Sequence, residues 1–254
     1  MTIKSVQNEY IKSLAKLNQK KYRDQTKTFI VEGEHLVNEA KAAGLIKQII
    51  IRENSKLHLD DAIFVSDEVM NKISSNVSLN EIVALCNYQT FSLNLRSKVV
   101  ILDEIQDPGN IGTIIRTALA FGFKDIILSK NSVDIYNEKL IKASQGAIFK
   151  VNIVVTDIID IIKSLQADNY KVYGTAIVKA LNLGQFKQTD KLALIFGNEG
   201  KGIKPEVLEL TDANIYIPIQ EFDSLNVAVA AGICLNHFSV IDTNIHHENT
   251  KVKQ

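Results

Sequence analysis

Leu102-Asp-Glu-Ile-Gln-Asp-Pro-Gly-Asn-Ile-Gly-Thr-Ile-Ile-Arg-Thr-Ala-Leu-Ala-Phe-Gly122 reads as the end of a buried strand, a tight loop and a helix, and the rest of the chain is organised around it. Val99 to Leu102 is apolar and mostly β-branched, and Pro108-Gly109 is a turn dipeptide that cannot continue a strand. Asn110 suits the N-cap of the periodic segment that starts at Ile111, and Gly122 suits the position just past its end. Ile111, Ile114, Ile115, Ala118 and Leu119 cover most of that helix, which nonetheless carries one full cation, Arg116. A lone arginine there needs a partner. Either it snorkels to a surface carboxylate or it serves a ligand.

Two more strand-to-loop-to-helix junctions follow, Phe196-Gly-Asn-Glu-Gly-Lys-Gly202 and Ile217-Pro-Ile-Gln-Glu-Phe-Asp-Ser-Leu-Asn-Val227. Polar residues directly after apolar strands are where open α/β sheets bind ligands. The glycine-dense run is no P-loop, because Gly202 is followed by Ile203 and not by Lys-Ser or Lys-Thr, and no Gly-x-Gly-x-x-Gly follows a strand. It is either a plain tight turn or a place where backbone approaches a flat ligand closely, with Glu199 as a carboxylate among donors. In the last junction Ser224 can cap the final helix, and Asn226 is as readily a capping residue as a functional one. Ala228, Ala230, Ala231 and Gly232 keep that helix narrow enough for a close neighbour, within the chain or across a dimer.

A chain of 254 residues with 46% hydrophobic and 23% charged residues has ample material for a packed core, which excludes a disordered or fibrous class. No apolar run approaches the roughly 18 residues of a membrane span, and the start lacks a signal peptide's apolar region, so the expected location is the cytoplasm. Cys86 and Cys234 lie far apart, which suggests neither a zinc site nor a disulfide framework and makes both expected core thiols. Net charge is +0, yet residues 1–30 hold Lys4, Lys12, Lys16, Lys20, Lys21, Arg23 and Lys27 against Glu9 and Asp24. Such a basic end is a solvated face or an RNA or DNA contact.

Val6, Tyr10, Leu14 and Leu17 recur at helical spacing with lysines away from the stripe, predicting one amphipathic first helix. Strands over 29–31, 46–51, 62–65 and 82–86 alternate with helices over 34–43 and 66–74, a compact α/β unit of its own. Residues 88–96 are polar and irregular and mark the boundary. Beyond them, strands near 99–104, 125–129, 149–155, 171–177, 191–197 and 214–219 alternate with helices near 110–121, 137–146, 157–168, 204–210 and 224–241. That alternation predicts a mostly parallel sheet with helices on both faces. The domains are thus 1–95 and 98–242, with a mobile tail over 243–254 whose His246-His247 pair reads as solvated.

Together, Asp107-Pro-Gly-Asn-Ile-Gly-Thr-Ile-Ile-Arg116-Thr-Ala, Phe196-Gly-Asn-Glu-Gly-Lys-Gly202, and Ile217-Pro218 followed by Ser224-Leu-Asn-Val227 resemble the three motifs of the SpoU/TrmH-type RNA 2′-O-ribose methyltransferases of the SPOUT superfamily. Each motif is weak alone, but their combination and order are highly specific. The likeness covers residues 98 to about 240. Lys20 to Gly44, with Phe29-Ile-Val-Glu-Gly-Glu-His-Leu-Val37, also resembles the ribosomal-protein-like substrate-binding domain that precedes many members.

The resemblance implies a trefoil-knotted catalytic domain that binds S-adenosylmethionine in the knot and forms a homodimer through it. It places Gly197, Ile217 and Leu225 at the cofactor and Asn110, Arg116, Glu199, Ser224 and Asn226 in the catalytic surroundings. It implies methylation of a ribose 2′-hydroxyl in structured RNA, ribosomal or transfer. Members often carry a glycine between the Ile-Pro and Ser-Leu-Asn elements of the last motif, whereas Gln220 to Asp223 has none and is one residue shorter. A ribose hydroxyl is a poor nucleophile, so it needs alignment and help in losing its proton. The family's proposed base is Arg116, but a guanidinium holds its proton. The expected role is therefore to bind the neighbouring phosphate and stabilise the developing alkoxide. The rival classes are a non-catalytic RNA-binding protein that kept the fold and a nucleotide-binding doubly wound enzyme. Asn110, Arg116, Glu199 and Asn226 speak against the first, and the missing phosphate motifs against the second.

Overall fold

The structure is a computed structural model that describes residues 2–57, 59, 61–74, 80–177, 179–221 and 224–239. The tail over 243–254 with His246-His247, and Phe222 and Asp223 of the glycine-free loop, lie outside the described residues. The N-terminal half runs β1 (Thr2–Ile3), α1 (Glu9–Ala15), α2 (Lys20–Thr26), β2 (Thr28–Glu32), α3 (Glu34–Ala42), β3 (Ile46–Arg52), β4 (Ile63–Val65), α4 (Asp67–Ile73) and β5 (Ile82–Asn87). Its strands form a mixed sheet in the order β1-β4-β3-β5-β2. The single first helix read from the sequence is broken: α1 ends in a 3₁₀ turn over Lys16–Asn18, and α2 starts anew.

The C-terminal half runs β6 (Lys98–Asp103), α5 (Pro108–Ala120), β7 (Asp125–Ser129), α6 (Glu138–Ser144), β8 (Asn152–Thr156), α7 (Ile158–Ala167), β9 (Lys171–Thr175), β10 (Leu181–Asn182), β11 (Leu192–Gly197), α8 (Pro205–Leu208), β12 (Ala213–Tyr216) and α9 (Val227–His237). Its strands form a sheet in the order β10-β12-β9-β11-β6-β7-β8, and every pairing is parallel. Alternate residues serve opposite faces. Val99, Ile101 and Ile195 pack with Ile158, Ile162 and Leu165 of α7, while Val100, Leu102 and Phe196 pack with the apolar residues of α5 and α9. Burying both faces explains why β6 and β11 are apolar runs and not alternating ones. From β6 the chain steps to β7 and β8 on one side, and β11 and β9 lie on the other. The order therefore reverses between β6 and β11, where a parallel sheet opens a crevice at its strand ends.

The two halves are less separate than the polar linker suggested. Phe29, Val31 and Leu36 share one apolar core with Tyr136, Ile148 and Phe149. Tyr88 and Tyr136 stack with ring centroids 3.8 Å apart, and the Tyr136 hydroxyl accepts the Gln89 N–H at 2.8 Å. Arg23, only 6% exposed, donates to the Leu17 and Asn18 carbonyls and pairs with Asp134 at 2.5 Å. It is therefore not part of the outward basic face, as the sequence had suggested. Removing one partner of so buried a pair costs about 3–5 kcal/mol. Cys86 and Cys234 are buried core thiols, with burial pushing each up to about 12. No helix among the described residues is long and apolar enough to cross a membrane.

Candidate active site

The site is built from the loops after β6 and β11 and the start of α9. The cap of α5 is Asp107, whose Oδ1 accepts the Asn110 N–H at 2.7 Å, with Pro108 in the first turn where no donor is needed. The expectation that Asn110 caps this helix is thus corrected. Because Asp107 takes that duty, the Asn110 side chain is free: its Nδ2 donates to Glu199 Oε1 at 3.0 Å, and its Oδ1 accepts from Asn226 Nδ2 at 3.1 Å. Asn226, not Ser224, caps α9, its Oδ1 accepting the Ala228 and Val229 N–H groups at 2.9 and 3.3 Å. Ser224 lies exposed just before the cap. Glu199 also accepts the backbone N–H groups of Gln106 at 3.4 Å and Asp107 at 3.3 Å. Burial raises the Glu199 carboxyl, but the hydrogen bonds from Asn110 and the backbone outweigh it and hold it below the usual carboxylate range. One directional chain therefore runs from the start of α9 through Asn226 and Asn110 to an ionised Glu199.

Beside this chain opens a cavity of about 540 Å³. Gly197, Ile217 and Leu225 all line it, together with Glu199, Ser224 and Asn226. Asn110 stands one hydrogen bond behind this wall. Arg116 does not join the group: it is exposed on α5, lies outside the lining, and has no ion pair or hydrogen bond among the described residues. Neither a buried partner nor the carboxylate expected of a snorkelling arginine is present there. Thr175 at the end of β9 and Ala176 and Ile177 just beyond it also line the cavity and were missed, the sequence placing them within a strand over 171–177. Their signal was their place at the end of a parallel strand.

The residues fit S-adenosylmethionine. A Cβ on Gly197 would fall 2.2 Å from Gly202 C and Ile203 N, so strand end and returning loop touch backbone to backbone and leave the space beside them open. Apolar walls from Ile217, Leu225 and Leu208 suit a flat adenine, while the strand-end loops offer backbone donors and acceptors. The volume lies in the range of about 300–1,000 Å³ typical of cofactor-sized pockets.

Residues 97–236 match the model of the SpoU rRNA Methylase family, and residues 8–84 match the MRM3-like substrate binding domain. The chain belongs to the SpoU rRNA methylase family. It is an RNA 2′-O-ribose methyltransferase whose methyl donor is S-adenosylmethionine. It is 36% identical over 242 residues to the 23S rRNA (guanosine(2553)-2′-O)-methyltransferase RlmP of Bacillus subtilis, covering 92% of this chain and 98% of that protein. Its fold is similar to the AdoMet-bound rRNA methyltransferase of Sinorhizobium meliloti, at a TM-score of 0.84 and 28% identity, covering 93% of this chain and 96% of that one. It is also similar to a solved RNA 2′-O ribose methyltransferase, at a TM-score of 0.80 and 25% identity, covering 93% and 97%. Family and cavity thus agree on the cofactor.

Proposed function

We propose that this enzyme methylates a ribose 2′-hydroxyl in ribosomal RNA of the large subunit, in the cytoplasm, as a homodimer. The observation that carries the reading is the hydrogen-bonded chain of Glu199, Asn110 and Asn226 beside the cavity lined by Gly197, Ile217 and Leu225. S-adenosylmethionine supplies an electrophilic sulfonium methyl. In our assignment Gly197, Ile217 and Leu225 hold the cofactor, Glu199 and Asn226 fix the Asn110 amide, and Ser224 and Asn110 orient the ribose. Arg116 binds the adjoining phosphate and stabilises the alkoxide as the hydroxyl proton leaves to phosphate or water. Mapping ribose methylation in total RNA with and without the protein tests the target, and a missing 23S rRNA mark in its absence is the expected result. Loss of a transfer RNA mark alone would redirect the reading to transfer RNA.

The dimer reading, with the knotted C-terminal segment the family implies, is supported by α9. Val229 and Ile233, one turn apart, stay 53% and 39% exposed, and Gly232 between them packs close to Thr117 of α5. A second subunit over this stripe would bury it and bring the Arg116 face of α5 toward the partner's cavity. Val229→Asp with Ile233→Asp is expected to give a monomer by light scattering that binds cofactor but transfers no methyl. A dimer of unchanged mass would refute this.

Residues 1–95 form the proposed RNA-binding domain, 98–242 the methyltransferase domain. Deleting the first would strip Tyr136 and Phe149 of their cover, so the test uses its surface. Lys4, Lys12 and Lys20 have carboxylate partners, whereas Lys16 and Lys21 flank the Tyr22 ring at 5.5 and 6.0 Å. Lys16→Glu with Lys21→Glu should weaken RNA binding and flatten its salt dependence by about one unit of slope per lost phosphate contact. An unchanged slope counts against this surface.

A further inference from the structure

Both ends of the loop from Asn198 to Lys204 are tied to one dipeptide, Asp103-Glu104, at the end of β6. Asn198 Nδ2 donates to the Glu104 carbonyl at 2.9 Å, and the Lys204 N–H donates to Asp103 Oδ2 at 3.0 Å. Lys204 Nζ pairs with Glu104 Oε1 at 2.7 Å, and Asn131 Nδ2 donates to the same oxygen at 2.7 Å. Asp103 is only 1% exposed, at the bottom of the crevice. Glu104 adopts φ 54°, a left-handed conformation that costs a residue with a Cβ about 1–2 kcal/mol, so its backbone is held where the carbonyl and carboxylate both reach the loop. Within the loop, Asn198 and Gly202 exchange backbone hydrogen bonds at 3.0 and 2.9 Å, which stiffens the segment that presents Glu199.

We propose that the Glu104–Lys204 pair is a positioning clamp that sets the shape of the 198–204 loop against the cofactor cavity, so that breaking it weakens cofactor binding and leaves the chemical step intact. Neither Lys204 nor Glu104 lines the cavity, whereas the loop they hold supplies six of its lining residues, Asn198 to Ile203. The inference rests on the cofactor reading of that cavity. Both side chains are partly open to solvent, which weakens such a pair, so the expected loss of affinity is about three- to fivefold.

The test is calorimetric titration of the full chain with S-adenosylhomocysteine, which cannot react, for the parent, Glu104→Gln, Lys204→Met, their combination and Lys204→Arg. Each disrupting variant is expected to weaken binding by about three- to fivefold, the combination no more than the worse single one, and Lys204→Arg to restore affinity. Turnover at saturating methyl donor should stay within about twofold of the parent, and amide exchange at Gly200 and Lys201 should quicken in the cofactor-free variants. Unchanged affinity, additive losses, or lost turnover at parental affinity would overturn the clamp. A parent that binds no S-adenosylhomocysteine would overturn the cavity reading, and the clamp with it.

Discussion

Arg116→Ala is expected to lower methyl transfer by at least about a hundredfold, as when a donor that stabilises transition-state charge is deleted, with cofactor affinity unchanged. The structure separates these two effects cleanly. Arg116 is exposed, packs into no core, has no partner among the described residues, and does not line the cavity. Its loss should therefore alter stability by no more than about 0.5 kcal/mol, the usual range for a surface site. What it offers is a free guanidinium on the α5 face next to the apolar stripe of α9. In the proposed dimer its role would be to bind a phosphate at the partner's cavity. Arg116→Lys keeps the charge but loses the planar fork, so it should recover only part of the rate. The measurement is paired: calorimetric affinity for S-adenosylmethionine, and single-turnover transfer of labelled methyl to RNA. A folded Arg116→Ala protein that transfers methyl at the parental rate would remove Arg116 from the site.

The sequence exposed the sheet readily because β6, β7 and β11 are buried on both faces and leave unbroken apolar runs. Caps were harder. Asp107 and Asn110 are both good capping residues, and the deciding clue was Pro108, which fits the first helical position and so puts the cap at Asp107. At α9 the cap lies two residues later, at Asn226 and not at Ser224. Both misreadings had one consequence: they hid that one asparagine of the pair is freed by a neighbouring cap while the other caps and donates at once. The setting of Arg116 was obscured because Ala120 and Thr113, small or polar, share its open stripe and make the helix look apolar all round. Pairs such as Arg23 with Asp134, or Glu104 with Lys204, join residues about a hundred positions apart, and no local spacing reveals them.

Three glycines of the Phe196-to-Gly202 junction should respond to alanine in three distinct ways, and Gly197→Ala should be the most damaging. Its Cβ would stand 2.2 Å from both Gly202 C and Ile203 N and 2.5 Å from Gly202 O, all backbone atoms that cannot rotate aside. Gly197 is paired in register with Asp103 inside the sheet, so the strand cannot yield and the returning loop must. Overpacking of this kind costs about 1–3 kcal/mol, and if the loop bears it, cofactor affinity falls by up to about a hundredfold. Gly202 has open space around its Cβ position but sits at φ +71°, so alanine there costs only the left-handed penalty of about 1–2 kcal/mol. Gly200 has neither constraint, since its nearest neighbour, Asn198 Oδ1, is 3.8 Å away, and Gly200→Ala should bind cofactor like the parent. Calorimetry on the three variants, with circular dichroism to confirm the sheet, gives the ranking. If Gly197→Ala binds as tightly as Gly200→Ala, the close approach of strand and loop does not shape the cavity, and the backbone role assigned to Gly197 fails.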